Sequence, residues 1–151
     1  MNDIANLMEN ISSLLTFQLG GEIFCTDMQN IVQIVDPSDL DQDDIIYSQD
    51  AHIKLDSIKI PIIDLFKKIG TKKINPSKDN RILVVNIDHN SYGILVEKVD
   101  NIYTLGHDVE VDIEFNGSEE ILFLKGILKF KNKKMLFLDL KGFSLNEKNI
   151  N

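Results

Sequence analysis

Reactive side chains are few in this sequence, and none has the neighbours that catalysis requires. Cys25 is the one cysteine, and a cysteine nucleophile needs a histidine base within hydrogen-bond reach. It lies instead in the alternating stretch IFCTD, which predicts a small residue buried in the core. Asp64 and Asp139 could be read as paired carboxylates, but each precedes a short apolar segment, where an aspartate caps a helix. The residues therefore predict no enzyme.

Histidines and glycines also lack the spacing of a binding site. His52, His89 and His107 show none of the short intervals typical of zinc ligands, and solvated positions in turns or at strand edges explain them. Gly20-Gly21 lacks the lysine, the hydroxyl residue and the long helix of a phosphate-binding loop. We therefore expect no cofactor and no metal ion at these residues.

The stretch most like a ligand site is acidic. In DLDQDDIIYSQD, residues 39–50, aspartates occupy the first, third and fifth positions of a calcium loop of the EF-hand type. Asp44 stands where that loop needs glycine, and Asp50 is too short for the bidentate glutamate at its end. No pair of flanking helices is evident. A calcium-responsive binding protein is thus one alternative, and a solvated acidic loop is the plainer interpretation.

Composition narrows the class of partner. The chain has 151 residues, enough for one domain with a substantial core, and 43% of them are hydrophobic. The net charge of -8 argues against nucleic acid and anionic membranes, which select basic surfaces. No apolar run approaches the roughly 20 residues of a membrane span, and the start lacks the features of a signal peptide. With a single cysteine, these features predict a cytoplasmic protein without direct membrane insertion.

Alternation of apolar and polar residues, as in β-strands, dominates the sequence around the residues discussed above. Residues 14–19 alternate as a half-buried strand does, and Gly20-Gly21 supplies the positive φ angles of a tight turn before the alternation resumes. A short helix capped by Asp27 and a strand over residues 31–35 follow. A second hairpin is predicted around Asp56-Ser57, and Gly126 within a later strand predicts a bulge.

The two halves of the chain have similar outlines. Residues 14–35 and 82–105 both read as strand, tight turn, strand, irregular piece and apolar return. HIKLDSIKIPIIDL and LKFKNKKMLFLDL both read as strand, turn, strand and an Asp-Leu that opens a helical turn. So many short strands at close spacing favour small barrels. The pattern predicts two similar β-barrels that share one core and are divided near residues 71–80 by a polar linker.

Residues 1–13 stand apart from this pattern. Four apolar residues recur there at helical spacing, namely Ile4, Leu7, Met8 and Ile11. They predict a short amphipathic helix that folds back on the body, or a segment that orders only on a partner.

Four stretches, in order, are similar to the family of CheW-like chemotaxis coupling domains. LTFQLGGEIFCTDMQNIVQIV resembles the family's opening, which runs strand, glycine turn, strand, Asp, helix and a V-x-E-I segment. IPIIDLFKKIG, NRILVVNIDHNSYGILVEKVDNIYTL and FLKGILKFKNKKMLFLDL follow at the family's spacing. The resemblance implies a single, mainly β domain over residues 14–151. Its fold would be two intertwined SH3-like five-stranded β-barrels with short helices.

The same resemblance implies a non-catalytic adaptor. Such proteins couple the cytoplasmic tips of methyl-accepting chemoreceptors to the regulatory domain of the CheA histidine kinase, in membrane-associated arrays. That kinase domain has the same two-barrel fold, so that barrel surfaces and strand edges dock on a matching barrel, and a groove between the barrels accepts the receptor hairpin. By position, Ile31 and Gln33 fall on the V-x-E-I segment and Ile102 on a V-S-D-V segment, both associated with partner binding.

Asp56 is the main departure from the family. Residues 54–57 read Lys-Leu-Asp-Ser where the family usually reads N-L-R-G, so Asp56 replaces an arginine linked to receptor and kinase coupling. Gln33 also replaces a usual acid, and Ala51 a usual glycine. A reversed charge at an interface changes specificity more readily than fold. Two functions stay open: coupling through a partner surface that has changed to match, or a divergent scaffold of another motility or two-component pathway.

Overall fold

The computed structural model describes residues 8–46, 50–63, 65, 77–106, 112–115, 124–130 and 133–140. β-Strands dominate this part of the chain, which confirms the predicted mainly β class. The strands are β1 (Ser13–Leu19), β2 (Glu22–Asp27), β3 (Ile31–Val35), β4 (Ile45–Ile46), β5 (His52–Leu55), β6 (Ile58–Ile63), β7 (Arg81–Ile87), β8 (Asn90–Val96), β9 (Lys98–Thr104), β10 (Asp112–Phe115), β11 (Leu124–Phe130) and β12 (Lys133–Leu138). Short 3-10 helices lie at Met28–Asn30, Pro37–Asp39 and Gln42–Asp44.

Each half of the chain contributes strands to both sheets. In the part that the structure describes, the first sheet has the order β10-β11-β12-β2-β1-β9, and the second sheet has the order β3-β7-β8-β6-β5-β4. The hairpin β1–β2 thus lies among strands of the second half, while the hairpin β7–β8 lies among strands of the first. This exchange is the predicted intertwining of the two halves. Each sheet has six strands where five were expected, because the short edge strands β10 and β4 are added to the first and second sheets.

The two sheets are related by a pseudo-twofold exchange of strands. Replacing β1–β6 by β7–β12, and the reverse, converts one strand order into the other. The strand directions agree as well. β2 runs parallel to β12, as β8 does to β6, and β9 runs antiparallel to β1, as β3 does to β7. Two equivalent rows of paired residues cross the sheets, Leu138-Thr26-Leu15-Ile102 and Ile63-Ile94-Leu83-Ile34. Ile102 on β9 is therefore the counterpart of Ile34 on β3.

Tight turns with positive φ angles close the hairpins. Gly20 and Gly21 have φ of 62° and 82°, as the sequence predicts. Asp56 and Ser57 have φ of 51° and 68° at the β5–β6 turn, although neither is glycine. Short polar side chains tolerate this region better than others because they can hydrogen-bond to nearby backbone groups.

The main core is built from both sheets, and a smaller core lies within each. The main core comprises Leu15, Phe17, Leu19, Phe24, Ile63, Leu65, Leu83, Val85, Ile87, Ile94, Val96, Leu138 and Leu140. The first-sheet core comprises Leu14, Cys25, Leu128, Phe130, Met135 and Phe137. The second-sheet core comprises Val35, Ile53, Ile60, Ile82 and Val84. β1 is consequently buried on both faces, whereas alternation alone predicted a half-buried strand.

The end of the N-terminal segment folds back on the body. Met8 and Ile11 pack against the first-sheet core, and the Leu105 N–H donates to the Ser12 carbonyl at 2.9 Å. Residues 1–7 lie outside the described part, so the two alternatives for residues 1–13 stay predictions. The same holds for the predicted helix at Asp64, for residues 71–76 of the linker, for His107 and for the chain beyond residue 140. The single domain over residues 14–151 and its division near 71–80 stay predictions.

Candidate docking surfaces

In the described part of the chain outside β10, four large apolar side chains are exposed. Val32 is 62% exposed, Ile34 38%, Ile58 63% and Ile102 54%. Single exposed apolar residues are common and need no explanation. Here, however, Ile34 on β3 and Ile102 on β9 occupy equivalent positions, and β3 and β9 are each an edge strand of their sheet. We call these strands the β3 edge and the β9 edge, and residues 55–58 the β5–β6 tip.

A bulge shapes the β9 edge. Leu15 pairs with Ile102 and Phe17 with Val99, so that two residues of β9, Asp100 and Asn101, lie opposite one residue of β1. That residue is Thr16. Its buried hydroxyl accepts a hydrogen bond from the Asn101 N–H at 3.0 Å and donates one to the Asn101 carbonyl at 3.1 Å.

Polar contacts from β1 also hold the start of the β9 edge. The Gln18 side-chain amide donates to both carboxylate oxygens of Asp100 at 3.1 Å. The Glu97 N–H donates to the Gln18 carbonyl at 2.9 Å, and the Glu97 carboxylate accepts from the Gly20 N–H. The β9 edge is thus tied to β1 at successive points, with Ile102 exposed beside them.

The β3 edge has the equivalent bulge with different chemistry. Ile31 pairs with Val85 and Gln33 with Val84, so Val32 and Gln33 lie opposite Val84 alone. Val84 is buried and apolar, so its side chain offers the bulge no hydrogen bond. Ile31 is half-buried and packs against the main core, while Gln33 is exposed.

Asp36 marks the end of the β3 edge. Its carboxylate accepts hydrogen bonds from the backbone N–H and the hydroxyl of Ser38, at 3.0 and 2.9 Å. These bonds, with a smaller contribution from the Arg81 guanidinium 3.7 Å away, lower the pKa of Asp36 below its usual value. The carboxylate caps the 3-10 helix that begins at Pro37.

The β5–β6 tip presents Asp56 to solvent, at the turn that the sequence predicts. Asp56, Ser57 and Ile58 are all exposed there.

Behind the tip, Lys59 Nζ lies 2.6 Å from the Asp50 carboxylate, and this hydrogen bond and the lysine charge lower the pKa of Asp50. Asp50 is one of the residues on which the calcium alternative depends. In the described ranges, no group of three or more His, Cys, Asp or Glu side chains could hold a metal ion.

Cys25 lies in the first-sheet core, as predicted, with none of its surface exposed. Burial raises the pKa of the thiol far above its usual range, so the reactive thiolate is scarce at neutral pH. We expect native Cys25 to react with a thiol reagent at least about 100-fold more slowly than in the denatured chain. Stopped-flow labelling in buffer and in urea measures the ratio. Similar rates in the two conditions would contradict the buried position.

The predicted partner-binding residues fall on three surfaces. Ile31 and Gln33 belong to the β3 edge, Ile102 to the β9 edge and Asp56 to the β5–β6 tip. Their part in binding stays a prediction. Sequence reasoning missed Val32 and Ile34 as exposed residues of the β3 edge. The internal repeat could have revealed Ile34, because aligning the halves residue by residue places it at the position of Ile102.

Comparisons with known proteins agree with this architecture. The sequence matches the CheW-like domain family over residues 13–146. It is 24% identical over 142 residues to a probable chemotaxis protein CheW of Rhizobium etli, a match that covers 92% of this chain and 91% of that protein. The crystal structure of the scaffolding protein TtCheW from Thermoanaerobacter tengcongensis superposes with a TM-score of 0.68 at 24% identity, covering 86% of this chain and 85% of that one. No helix in the described ranges is long and apolar enough to cross a membrane. The chain belongs to the CheW-like domain family.

Proposed function

We propose that this protein is a non-catalytic adaptor that couples chemoreceptors to the regulatory domain of a CheA-type histidine kinase. It acts by protein–protein docking in the cytoplasm, and the receptors recruit it to membrane-associated arrays. The observation that carries the proposal is the pair of exposed isoleucines, Ile34 and Ile102, at equivalent places on two edge strands of a CheW-like fold. An adaptor needs more than one docking surface, and the strand exchange supplies two similar ones.

The exposed edge residues suit a partner that also presents barrel surfaces. An outermost strand offers backbone groups and alternate side chains to a second β-domain, and the apolar side chains contribute burial. The kinase regulatory domain, with the family's own two-barrel fold, is such a partner. We assign the β9 edge to this domain.

The experiment is a binding titration of the purified chain with each partner separately. The partners are the regulatory domain of the kinase encoded in the same genome and the cytoplasmic hairpin of a chemoreceptor. We expect saturable binding to both, measured by isothermal titration calorimetry. Binding to neither would refute the coupling function.

A second function, as the scaffold of another motility or two-component pathway, is favoured by one feature. Asp56 reverses the charge that the family usually places at the β5–β6 tip, and the structure leaves that tip in solvent. A partner adapted to this tip should carry a basic residue opposite Asp56. A conventional partner would lack that residue.

Asp56→Arg should therefore shift partner preference. We expect roughly tenfold weaker binding to the protein's own partner in low salt, and stronger binding to a kinase or receptor from a conventional chemotaxis system. The effect should shrink with added salt, since a rim charge is screened over about 8 Å at physiological ionic strength. Affinities for both partners at two salt concentrations measure this.

Asp88→Arg is the matched control, because Asp88 occupies the β7–β8 turn with a φ of 50°, close to the 51° of Asp56. It makes the same charge change with the same backbone strain on a different hairpin. If Asp56→Arg alters neither affinity, or if Asp88→Arg alters both equally, the β5–β6 tip does not contact the partner, and Asp56 serves only to form the turn.

A further inference from the structure

The equivalent bulges of the two edges differ in one buried side chain. Thr16 lies opposite the β9 bulge, and Val84 occupies the corresponding position opposite the β3 bulge. Both are buried, at 0% and 3% exposed, and the two side chains have nearly the same shape. The difference between them is a hydroxyl group in place of a methyl group.

The Thr16 hydroxyl takes the place of the strand pairing that the bulge interrupts. A bulge leaves one residue without its regular ladder hydrogen bonds. At the β9 edge, Thr16 Oγ1 contacts both backbone groups of Asn101, at 3.0 Å to the nitrogen and 3.1 Å to the oxygen. A hydroxyl can accept one hydrogen bond while donating another, which a carbonyl or an amide N–H cannot do. Thr16 therefore clamps Asn101, the residue immediately before Ile102.

A second contact strengthens the same region. Gln18 binds both carboxylate oxygens of Asp100 at 3.1 Å, and Gln18 is the next residue of β1 whose side chain lies on the face of Thr16. Both bulge residues, Asp100 and Asn101, are thus held by side chains of β1. Val84 cannot form such bonds at the β3 edge.

We infer that Thr16 is a positioning residue, whose hydroxyl fixes the bulge so that Ile102 meets the kinase regulatory domain in one preset orientation. This inference rests on the proposed function of the β9 edge. A preset side chain loses less conformational freedom on docking, and so more of the contact energy appears as affinity. The β9 edge is thereby the more selective of the two edges, and the β3 edge the more adaptable.

Thr16→Val tests the inference, because it deletes the hydroxyl and keeps the shape. Without the clamp, we expect the Asn101 amide to exchange its hydrogen about tenfold faster. We expect the affinity for the kinase regulatory domain to fall by about tenfold as well. Thr16→Ser, which restores the hydroxyl, should return both values to within about threefold of the wild type.

Thr26→Val is the matched control. Thr26 is the other buried threonine in the described part of the first sheet, and its hydroxyl donates to the Leu138 carbonyl at 2.8 Å. Its removal costs a buried hydrogen bond of the same kind without touching β9. We expect lower stability, but an unchanged Asn101 exchange rate and unchanged affinity, when both proteins are measured well below their melting temperatures.

The outcomes separate this inference from the proposed function. Faster Asn101 exchange with unchanged kinase affinity would overturn the positioning role, as would equal losses of affinity in Thr16→Val and Thr26→Val. An unchanged exchange rate in Thr16→Val would overturn the clamp itself. In each case the docking of the β9 edge is judged independently, by a charged substitution at Ile102.

Discussion

Ile102→Lys should remove measurable binding to the kinase regulatory domain while the fold is retained. The side chain is 54% exposed on the β9 edge, so a longer polar side chain can extend into solvent in the free protein. At the centre of an interface the same ammonium group would be desolvated without a partner. An unpaired buried charge costs about 3–5 kcal/mol. A loss of about 4 kcal/mol turns a micromolar complex into a millimolar one.

Two controls make this result specific. Ile102→Val keeps an apolar branched side chain and should bind within a few-fold of the wild type. Ser91→Lys introduces the same charge at an exposed position of β8 in the second sheet, and should leave the affinity unchanged. Calorimetric titration and thermal melting of all three variants complete the test. Retained binding by Ile102→Lys would exclude the β9 edge as the docking surface, and its unfolding would show that Ile102 is needed for the core.

The features that sequence reasoning predicted well are local. Gly20-Gly21 forms the expected turn, and the Asp27 carboxylate accepts a hydrogen bond from the Gln29 N–H at 3.0 Å, as an N-cap does. Gly126 lies at the expected bulge, where the register of β11 shifts between Leu124 and Gly126. Each of these depends on residues within a few positions of one another, where backbone sterics decide the conformation.

Features that depend on distant pairing were harder to predict. Alternation in β1 indicates one buried face, but β1 lies between β2 and β9 with cores on both sides. Nothing in residues 14–19 encodes the presence of a second layer over Leu14 and Thr16. Leu14 shares the first-sheet core with Leu128, Met135 and Phe137, which lie more than a hundred positions away in the sequence.

The candidate site shows the same limit. The resemblance directs attention to Ile31, whose side chain packs partly against the main core, whereas Val32 and Ile34 are exposed. The bulge between Ile31 and Gln33 interrupts simple alternation, so the exposed face of β3 cannot be counted from its first residue. The β3 edge is consequently better probed at Ile34, where a charge can be added without entering the core.

The shared core leads to a prediction about cooperativity, with Phe17→Ala as the substitution. Phe17 has no exposed surface, and its ring stacks on that of Phe24 with centroids 5.8 Å apart. Both belong to the main core, which also contains Leu83, Val85 and Ile94 of the second sheet. Truncation of a buried phenylalanine costs about 3–5 kcal/mol. Because the main core contains residues of both sheets, we expect both sheets to lose stability by the same amount.

The strand exchange makes separate unfolding of the sheets physically costly. Withdrawing β1–β2 would leave β9 without its neighbour in the first sheet and β12 with β11 alone. The same hairpin contributes Phe17 to the main core, which residues of the second sheet share. Urea titration followed by the amide signals of Cys25 and Val84 reports one sheet each. We expect the two signals to have the same midpoint in the wild type, and again in Phe17→Ala at a lower urea concentration. Ile58→Ala, at an exposed position, is the control and should change the free energy of unfolding by less than about 0.5 kcal/mol. Two separate midpoints would mean that each sheet is stable alone, and the single domain proposed for residues 14–151 would then have to be divided.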